Sequence, residues 1–163
     1  MGVRQQPRKF YRELCGQLIR FAEFQFRLNK QVKDKDGRST GSRREWLSRY
    51  AKDNPGFTAD HIGKVLSAVR CPPALSHVYG WFIELANMRD YGEAGPKSIK
   101  PSEITAWSDL TRRRPSPIEI RIILDLDVRF RNIHAEDDAT DLTEHDRAVL
   151  AYVEAATLSK SWG

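Results

Sequence analysis

The local signals that mark helix starts constrain the fold of this chain more than any other feature of its sequence. Ser42-Arg43-Arg44-Glu45 and Ser116-Pro117-Ile118-Glu119 are both capping boxes, in which the serine hydroxyl accepts from the glutamate amide and the glutamate carboxylate accepts from the serine amide. In the second box, Pro117 takes the first helical position, where no N–H is needed. Apolar residues spaced three and four apart recur along the chain, and no segment shows sustained strand alternation. The sequence therefore predicts an all-α fold, a compact bundle of six or seven helices with no sheet.

The predicted helices cover most of the chain. They span about 8–29, 42–52, 58–70, 73–89, 101–110 and 117–134, with a last one from about 143. The first is expected to bury one apolar stripe, made of Phe10, Leu14, Leu18, Phe21 and Leu28 and widened by Phe24 and Phe26. Gly80 inside the fourth helix suggests close approach of another backbone. Residues 31–41 are predicted to be a linker and residues 91–100 a loop.

The length of the chain matches a single domain. Its 163 residues, 40% of them hydrophobic, suffice for one core. We expect basic N-terminal helices and a linker over 1–57, a helical core over 58–134, and an acidic linker with a C-terminal helix over 135–163. Cys15 and Cys71 are the only cysteines, which indicates a reducing cytosol and neither a disulfide framework nor a zinc site. No run approaches the roughly 18 apolar residues of a membrane span, so no membrane association is expected.

Charge is distributed unevenly along the chain. Residues 1–70 hold 16 Lys and Arg against 7 Asp and Glu, residues 71–134 hold 9 against 8, and residues 135–163 hold 2 against 7. A basic front and an acidic tail indicate either a polyanionic partner or self-complementary packing.

Chemistry-bearing residues form no recognisable catalytic or metal-binding pattern. The four histidines, His61, His77, His134 and His145, lack ligand spacing to one another or to a cysteine. No nucleophile elbow, metalloprotease motif, Walker loop or dinucleotide fingerprint occurs. Asp125 and Asp127 are two residues apart and so point away from each other on a helix, and Asp125 is expected to pair with Arg121 or Arg129. We expect no enzyme activity, no catalytic residue, no metal and no cofactor.

Residues 101–134 have the outline of a helix-turn-helix. A short helix is followed by the basic turn Arg112, Arg113 and Arg114 and by a longer helix that carries Arg121 near its start. In that motif the second helix enters the major groove of DNA. The first turn here is apolar and acidic, which suits base contact poorly, so this outline is the alternative interpretation: a basic nucleic-acid-binding or regulatory helical protein.

Residues 72 to about 131 carry a set of short motifs in a fixed order. They are Pro72-Pro73, Trp81-Phe82-x-x-Leu85 with Arg89, Gly95-Pro96, Ser102-Glu103-Ile104-x-Ala106-Trp107-x-x-Leu110-Thr111, Pro117-x-Glu119 and Leu126-Asp127-x-x-Phe130. Together they resemble the tail assembly chaperones of long-tailed bacteriophages and prophages. The sequence departs from that pattern at Ile118, where the family often has tryptophan.

The resemblance implies a non-structural assembly factor in the host-cell cytoplasm that is absent from the mature virion. It implies association with the tape measure protein. It also allows binding to the tail-tube protein and association of the chain with itself. Nucleic-acid binding is expected to be weak and non-specific. The partner-binding candidates are Trp81, Phe82, Leu85, Arg89, Trp107 and Phe130. Trp81 and Trp107 are expected in the same core, because they lie on the apolar sides of adjacent helices.

Overall fold

The structure, a computed structural model, describes residues 6–33, 36–45, 49 and 69–136. Two compact units are distinguished among them. The first comprises residues 6–26 and 71–136, and the second comprises the described residues between 27 and 70. The expectation of a single domain stays a prediction.

Four α-helices and two short hairpins follow one another in the described residues. The first unit begins with α1 (Gln6–Asn29), whose last residues pass into the second unit. The second unit contains strands β1 (Gln31–Lys33) and β2 (Ser39–Ser42). The first unit resumes with a 3-10 turn (Pro73–Leu75), α2 (Ser76–Asn87), β3 (Tyr91–Gly92), β4 (Gly95–Pro96), α3 (Pro101–Thr111) and α4 (Pro117–Ala135).

Both predicted capping boxes form. At α4 the Glu119 amide donates to Ser116 Oγ at 3.3 Å, and the Ser116 amide donates to the Glu119 carboxylate at 2.7 Å. The same exchange joins Ser42 and Glu45, with distances of 3.3 and 2.8 Å. Glu103 similarly accepts from the Lys100 amide at 2.5 Å at the start of α3. These contacts satisfy amides that a helix start otherwise leaves unpaired, so the helix starts are fixed locally.

The core of the first unit lies between α1, α2, α3 and α4. Its buried side chains are Leu18, Ala22, Phe26, Leu75, Val78, Phe82, Leu85, Ile99, Ile104, Trp107, Ile122, Ile123, Leu126 and Ile133. Of the stripe expected on α1, Leu14 and Phe21 are only partly buried against this core, and Phe24 and Leu28 are buried but do not belong to it. Two other residues fit an apolar face by helical spacing and are exposed. Phe10 is 63% exposed near the start of α1, and Leu110 is 85% exposed near the end of α3. Both lie near helix ends, so helical spacing alone misplaced them.

The expectation of a fold without sheet is wrong. β1 pairs with β2 and β3 pairs with β4, each pair antiparallel. The first hairpin occupies residues assigned to a linker and the second lies in the predicted loop. Gly37 (φ 76°) and Gly95 (φ 107°) supply the positive φ angles that these tight reversals require. Strands of two to four residues carry too little alternation to be read from sequence.

The described residues contain four complete α-helices, one 3-10 turn and the start of a further helix at 43–45, whereas six or seven helices were expected. The helix expected over 42–52 is described only at its start, and those expected after 58 and after 143 fall almost wholly outside the described residues. The other four match their predicted spans closely. Among the described residues, a Cβ built on Gly80 finds no atom within 4 Å, so the expected close approach of another backbone is not found there.

Candidate functional site

Trp81 and Trp107 share one packing cluster, as predicted. Their ring centroids lie 5.9 Å apart in an edge-to-face arrangement that joins α2 to α3. Trp107 is 3% exposed, and its indole Nε1 donates to the Glu84 carboxylate at 3.1 Å. Trp81 is only partly buried and also contacts the ring of His77 at 4.9 Å. The pair therefore belongs to the core on the Trp107 side and reaches the surface on the Trp81 side.

The six predicted partner-binding residues divide into two groups. Phe82, Leu85, Trp107 and Arg89 are buried, whereas Trp81 and Phe130 are half-buried. Phe130 packs edge-on against Phe26, with ring centroids 5.2 Å apart. In this conformation, only Trp81 and Phe130 of the six present appreciable surface to a partner. Their role in partner binding stays a prediction.

Arg89 and Asp127 form a buried ion pair that sequence reasoning missed. Arg89 Nη1 lies 2.8 Å from Asp127 Oδ1, and the two side chains are 1% and 2% exposed. The other carboxylate oxygen of Asp127 accepts from the Ile99 amide at 3.2 Å and from Arg131 Nε at 3.1 Å. The pair ties the end of α2 and the segment before α3 to the middle of α4.

The guanidinium of Arg89 is held on its other sides as well. Arg89 Nη1 donates to the Lys97 carbonyl at 3.3 Å, and the guanidinium carbon lies 4.5 Å from the centre of the Phe130 ring. Its Nε and Nη2 are buried and have no hydrogen-bond partner in the described part of the chain. Arg89 and Asp127 thus form a close, buried ion pair, but the hydrogen-bonding capacity of the Arg89 guanidinium is only partly used.

A sequence signal for this pair existed. Asp127 lies four residues after the buried Ile123, on the same side of α4, where a charged residue is buried only if it is paired. Its partner could not be chosen among the many arginines. Asp125, by contrast, pairs as predicted with Arg129 at 3.5 Å on the half-exposed side of the helix.

The basic turn between α3 and α4 is fixed by one of its three arginines. Arg113 forms an ion pair with Glu84 and lies 5.6 Å from the Trp107 ring. Ser108 Oγ donates to the Arg113 carbonyl, and Arg112 ends α3 in the left-handed conformation (φ 58°). The hydrogen bond from Arg113 to Glu84, aided by the one from Trp107, lowers the pKa of Glu84.

The remaining arginines of the helix-turn-helix interpretation face solvent. Arg112, Arg114 and Arg121 are exposed, whereas Arg113 is partly buried by its contacts with Glu84 and Trp107. The start of α4 that would enter a DNA groove carries Pro117, Ile118 and Glu119. Glu119 is engaged in its cap and in a 2.7 Å contact with His77 Nε2. Burial opposes ionisation of Glu119, but its hydrogen bonds to His77 and Ser116 outweigh burial and lower its pKa.

A pocket of about 270 Å³ lies between α3 and α4 beside the turn. Its apolar lining comes from Ile104, Pro115 and Ile120, and its polar lining from Thr105, Ser108, Asp109 and Arg114. In the described residues, no group of three His, Cys, Asp or Glu side chains is placed to hold a metal ion. No helix in that part of the chain is long and apolar enough to cross a membrane.

The fold and the site define a small, mostly helical unit. The polar contacts described above hold its helices, and the turn between α3 and α4, in place. Residues 63–132 match the family model for phage tail assembly chaperones. The resemblance to this family is thus confirmed, over a segment that begins at residue 63 rather than 72. No curated protein and no solved structure matches the chain.

Proposed function

We propose that this chain is a non-enzymatic phage tail assembly chaperone that binds the tape measure protein and assists assembly of the tail tube around it. The match of residues 63–132 to the chaperone family carries this proposal. That segment covers most of residues 71–136, the longer of the two stretches that make up the first unit. The chaperone works in the host-cell cytoplasm and leaves the assembled tail, so it is absent from the mature virion.

Exposed apolar surface in the matched segment supports a binding role. Leu110, Ile118 and Val128 are 85%, 53% and 45% exposed, and Trp81 is partly exposed on α2. A tape measure protein is a long helix, and apolar stripes on a long helix aggregate unless another surface covers them. An amphipathic helix that lays its apolar side into a groove is a common mode of such recognition.

Co-expression of the full chain with the tape measure protein of the same phage tests the proposal. The measurements are the soluble fraction of the tape measure protein and its co-purification with this chain, with an unrelated helical protein of similar size as control. We expect solubility and co-purification only with this chain, because it covers the apolar stripes. If the tape measure protein stays insoluble and none co-purifies, the proposed function is wrong.

Salt dependence separates this function from nucleic-acid binding. A protein that neutralises six or more phosphates loses roughly a thousandfold in affinity between about 50 and 200 mM salt, whereas an apolar groove loses little. We expect the complex with the tape measure protein to persist at the higher salt. Tight, sequence-specific DNA binding that is lost on charge reversal of Arg112, Arg114 and Arg121 would favour the helix-turn-helix interpretation instead.

A further inference from the structure

One face of α1 presents a row of basic side chains to solvent. Arg8, Arg12 and Arg20 are separated by four and eight residues, so they lie along one ridge of the helix. Lys9 lies three residues before Arg12 and is its neighbour on the helix surface. All four residues are exposed. We call this row the α1 basic stripe, made of Arg8, Lys9, Arg12 and Arg20.

The opposite face of α1 holds the helix in the core of the first unit. Leu18 and Ala22 are fully buried in that core. The ring of Phe21 packs edge-on against Tyr79 of α2, with ring centroids 5.0 Å apart. Because these contacts fix which side of α1 faces the core, the basic stripe stays directed toward solvent.

Ion pairs do not neutralise the charge of the α1 basic stripe. In the described part of the chain, none of its four side chains pairs with a carboxylate. Glu13 is the one acidic residue between residues 8 and 20, so four cations stand against one carboxylate. In the matched segment, by contrast, Arg89, Arg113 and Arg129 each pair with a carboxylate. The stripe therefore keeps a positive charge that an anionic partner can meet.

The first turn of α1 also breaks a rule that the starts of α3 and α4 obey. Glu103 and Glu119 lie in the first turns of those helices, where the positive end of the helix dipole favours acidic side chains. The first turn of α1 has no acidic residue and carries Arg8 and Lys9 instead. Cations at this end lower helix stability, and such local conflicts are expected where a surface serves binding.

The length and chemistry of the α1 basic stripe match a phosphate backbone. Arg8 and Arg20 are twelve residues apart, about 18 Å along the helix, over which one strand of B-form DNA carries about five phosphates. A protein interface has an apolar core, and the stripe contains no apolar side chain. Phe10, 63% exposed, lies two residues from Arg8 and so points to another side of the helix. A membrane surface takes up the apolar face of a helix, which in α1 is buried.

We propose that the α1 basic stripe binds the phosphate backbone of a nucleic acid duplex without reading its sequence. Phosphates are the same in every sequence, so contacts to them carry no sequence information. This inference goes beyond the proposed function and does not depend on it, because the stripe lies outside residues 63–132, which match the chaperone family. It also assigns nucleic-acid binding to α1 rather than to the turn between α3 and α4.

Fluorescence anisotropy of a labelled DNA duplex of about 20 base pairs, titrated with the full chain, measures this binding. Two duplexes of unrelated sequence should bind equally well. The stripe variant carries Arg8→Gln, Lys9→Gln, Arg12→Gln and Arg20→Gln, and glutamine keeps nearly the helix propensity of the residues it replaces. We expect its affinity to fall about tenfold or more at about 50 mM salt. The slope of log affinity against log salt should become shallower by about 3 to 4, because each phosphate contact contributes about 0.9.

The matched control removes the same charge from another part of the first unit. It carries Lys97→Gln, Arg112→Gln, Arg114→Gln and Arg121→Gln, all at exposed positions. A general attraction between the chain and DNA would weaken equally in both variants. We expect the control to lose less than about threefold in affinity and to keep its salt slope within about 1 of the parent's. Circular dichroism confirms that both variants fold.

The other outcomes overturn the proposal. No binding of the duplex by the full chain at about 50 mM salt, or equal losses from the stripe variant and the control, means that the stripe is not a phosphate site. A strong preference for one of the two duplexes requires base contacts and contradicts binding to the backbone alone. Polyglutamate and vesicles that contain phosphatidylserine are the competing probes. If either binds the parent as tightly as the duplex does, and binds the stripe variant less, the stripe takes an acidic protein or a membrane instead.

Discussion

Removal of one partner of the Arg89–Asp127 ion pair should be among the most destabilising single changes in this chain. Asp127→Leu leaves the guanidinium of Arg89, 1% exposed, without its counter-ion 2.8 Å away. It also leaves the buried Ile99 amide without its acceptor. Breaking a buried pair in this way costs about 3–5 kcal/mol, because an uncompensated charge stays in the interior. With a urea dependence of about 2 kcal/mol per molar, the unfolding midpoint falls by roughly 1.5–2.5 M.

The double variant Arg89→Met with Asp127→Leu shows how much of the destabilisation by Asp127→Leu comes from the unpaired charge of Arg89. It removes both charges, including the Nε and Nη2 donors of Arg89 that have no partner in the described residues. Replacing a buried pair by apolar residues is often neutral or stabilising, and the unpaired Ile99 amide still costs about 1–3 kcal/mol. We therefore expect the double variant to be clearly more stable than Asp127→Leu alone.

Urea unfolding of the full chain, followed by circular dichroism, provides the measurement. Asp125→Leu is the matched control, because Asp125 lies on the same helix and pairs with Arg129 at 3.5 Å with 46% of its side chain exposed. It should lose less than about 1 kcal/mol. A double variant as unstable as Asp127→Leu, or a loss from Asp127→Leu no larger than from Asp125→Leu, would refute the reasoning.

Three further predictions follow from the packing of α2 and α3. Trp107→Ala should lower the free energy of unfolding by about 3–5 kcal/mol, measured by thermal or urea unfolding, because Trp107 is buried. Trp81→Ala should lower it by at least about 1 kcal/mol less, because Trp81 is only partly buried. Equal losses from the two variants would contradict this prediction. Gly80→Ala should raise the free energy of unfolding by about 0.5–1 kcal/mol, because Gly80 lies at an exposed position inside α2 and the added Cβ meets no described atom within 4 Å. A decrease would indicate a close neighbour. An NMR titration should give Glu84 a pKa below the usual range, which Arg113→Met raises. Because the pKa of Glu84 is lower in the folded state, the stabilisation from Glu84 is present above the unfolded pKa, about 4.3, and is lost as pH falls through the folded pKa. If the pKa of Glu84 were unchanged in Arg113→Met, Arg113 would not be the cause of the lowered pKa.

Local sequence determined where the described helices begin and end. Capping boxes at Ser42 and Ser116, prolines at the first helical positions, and apolar spacing act within a few residues along the chain. They need no tertiary contact, so the spans of α1, α2, α3 and α4 were predicted closely. The Asp125–Arg129 pair was predicted for the same reason, because residues four apart on a helix are always neighbours.

Tertiary structure alone decided which residues meet across helices. Arg89 and Asp127 lie on different helices, and nothing local selects this arginine from the others as the partner of the buried aspartate. Phe10 and Leu110 fit an apolar face by spacing but remain exposed, because burial depends on whether another element lies opposite. The pocket between α3 and α4 likewise arises only when the turn sets Ile104 beside Ile120. Periodicity specifies the face of a helix, and packing decides what that face contacts.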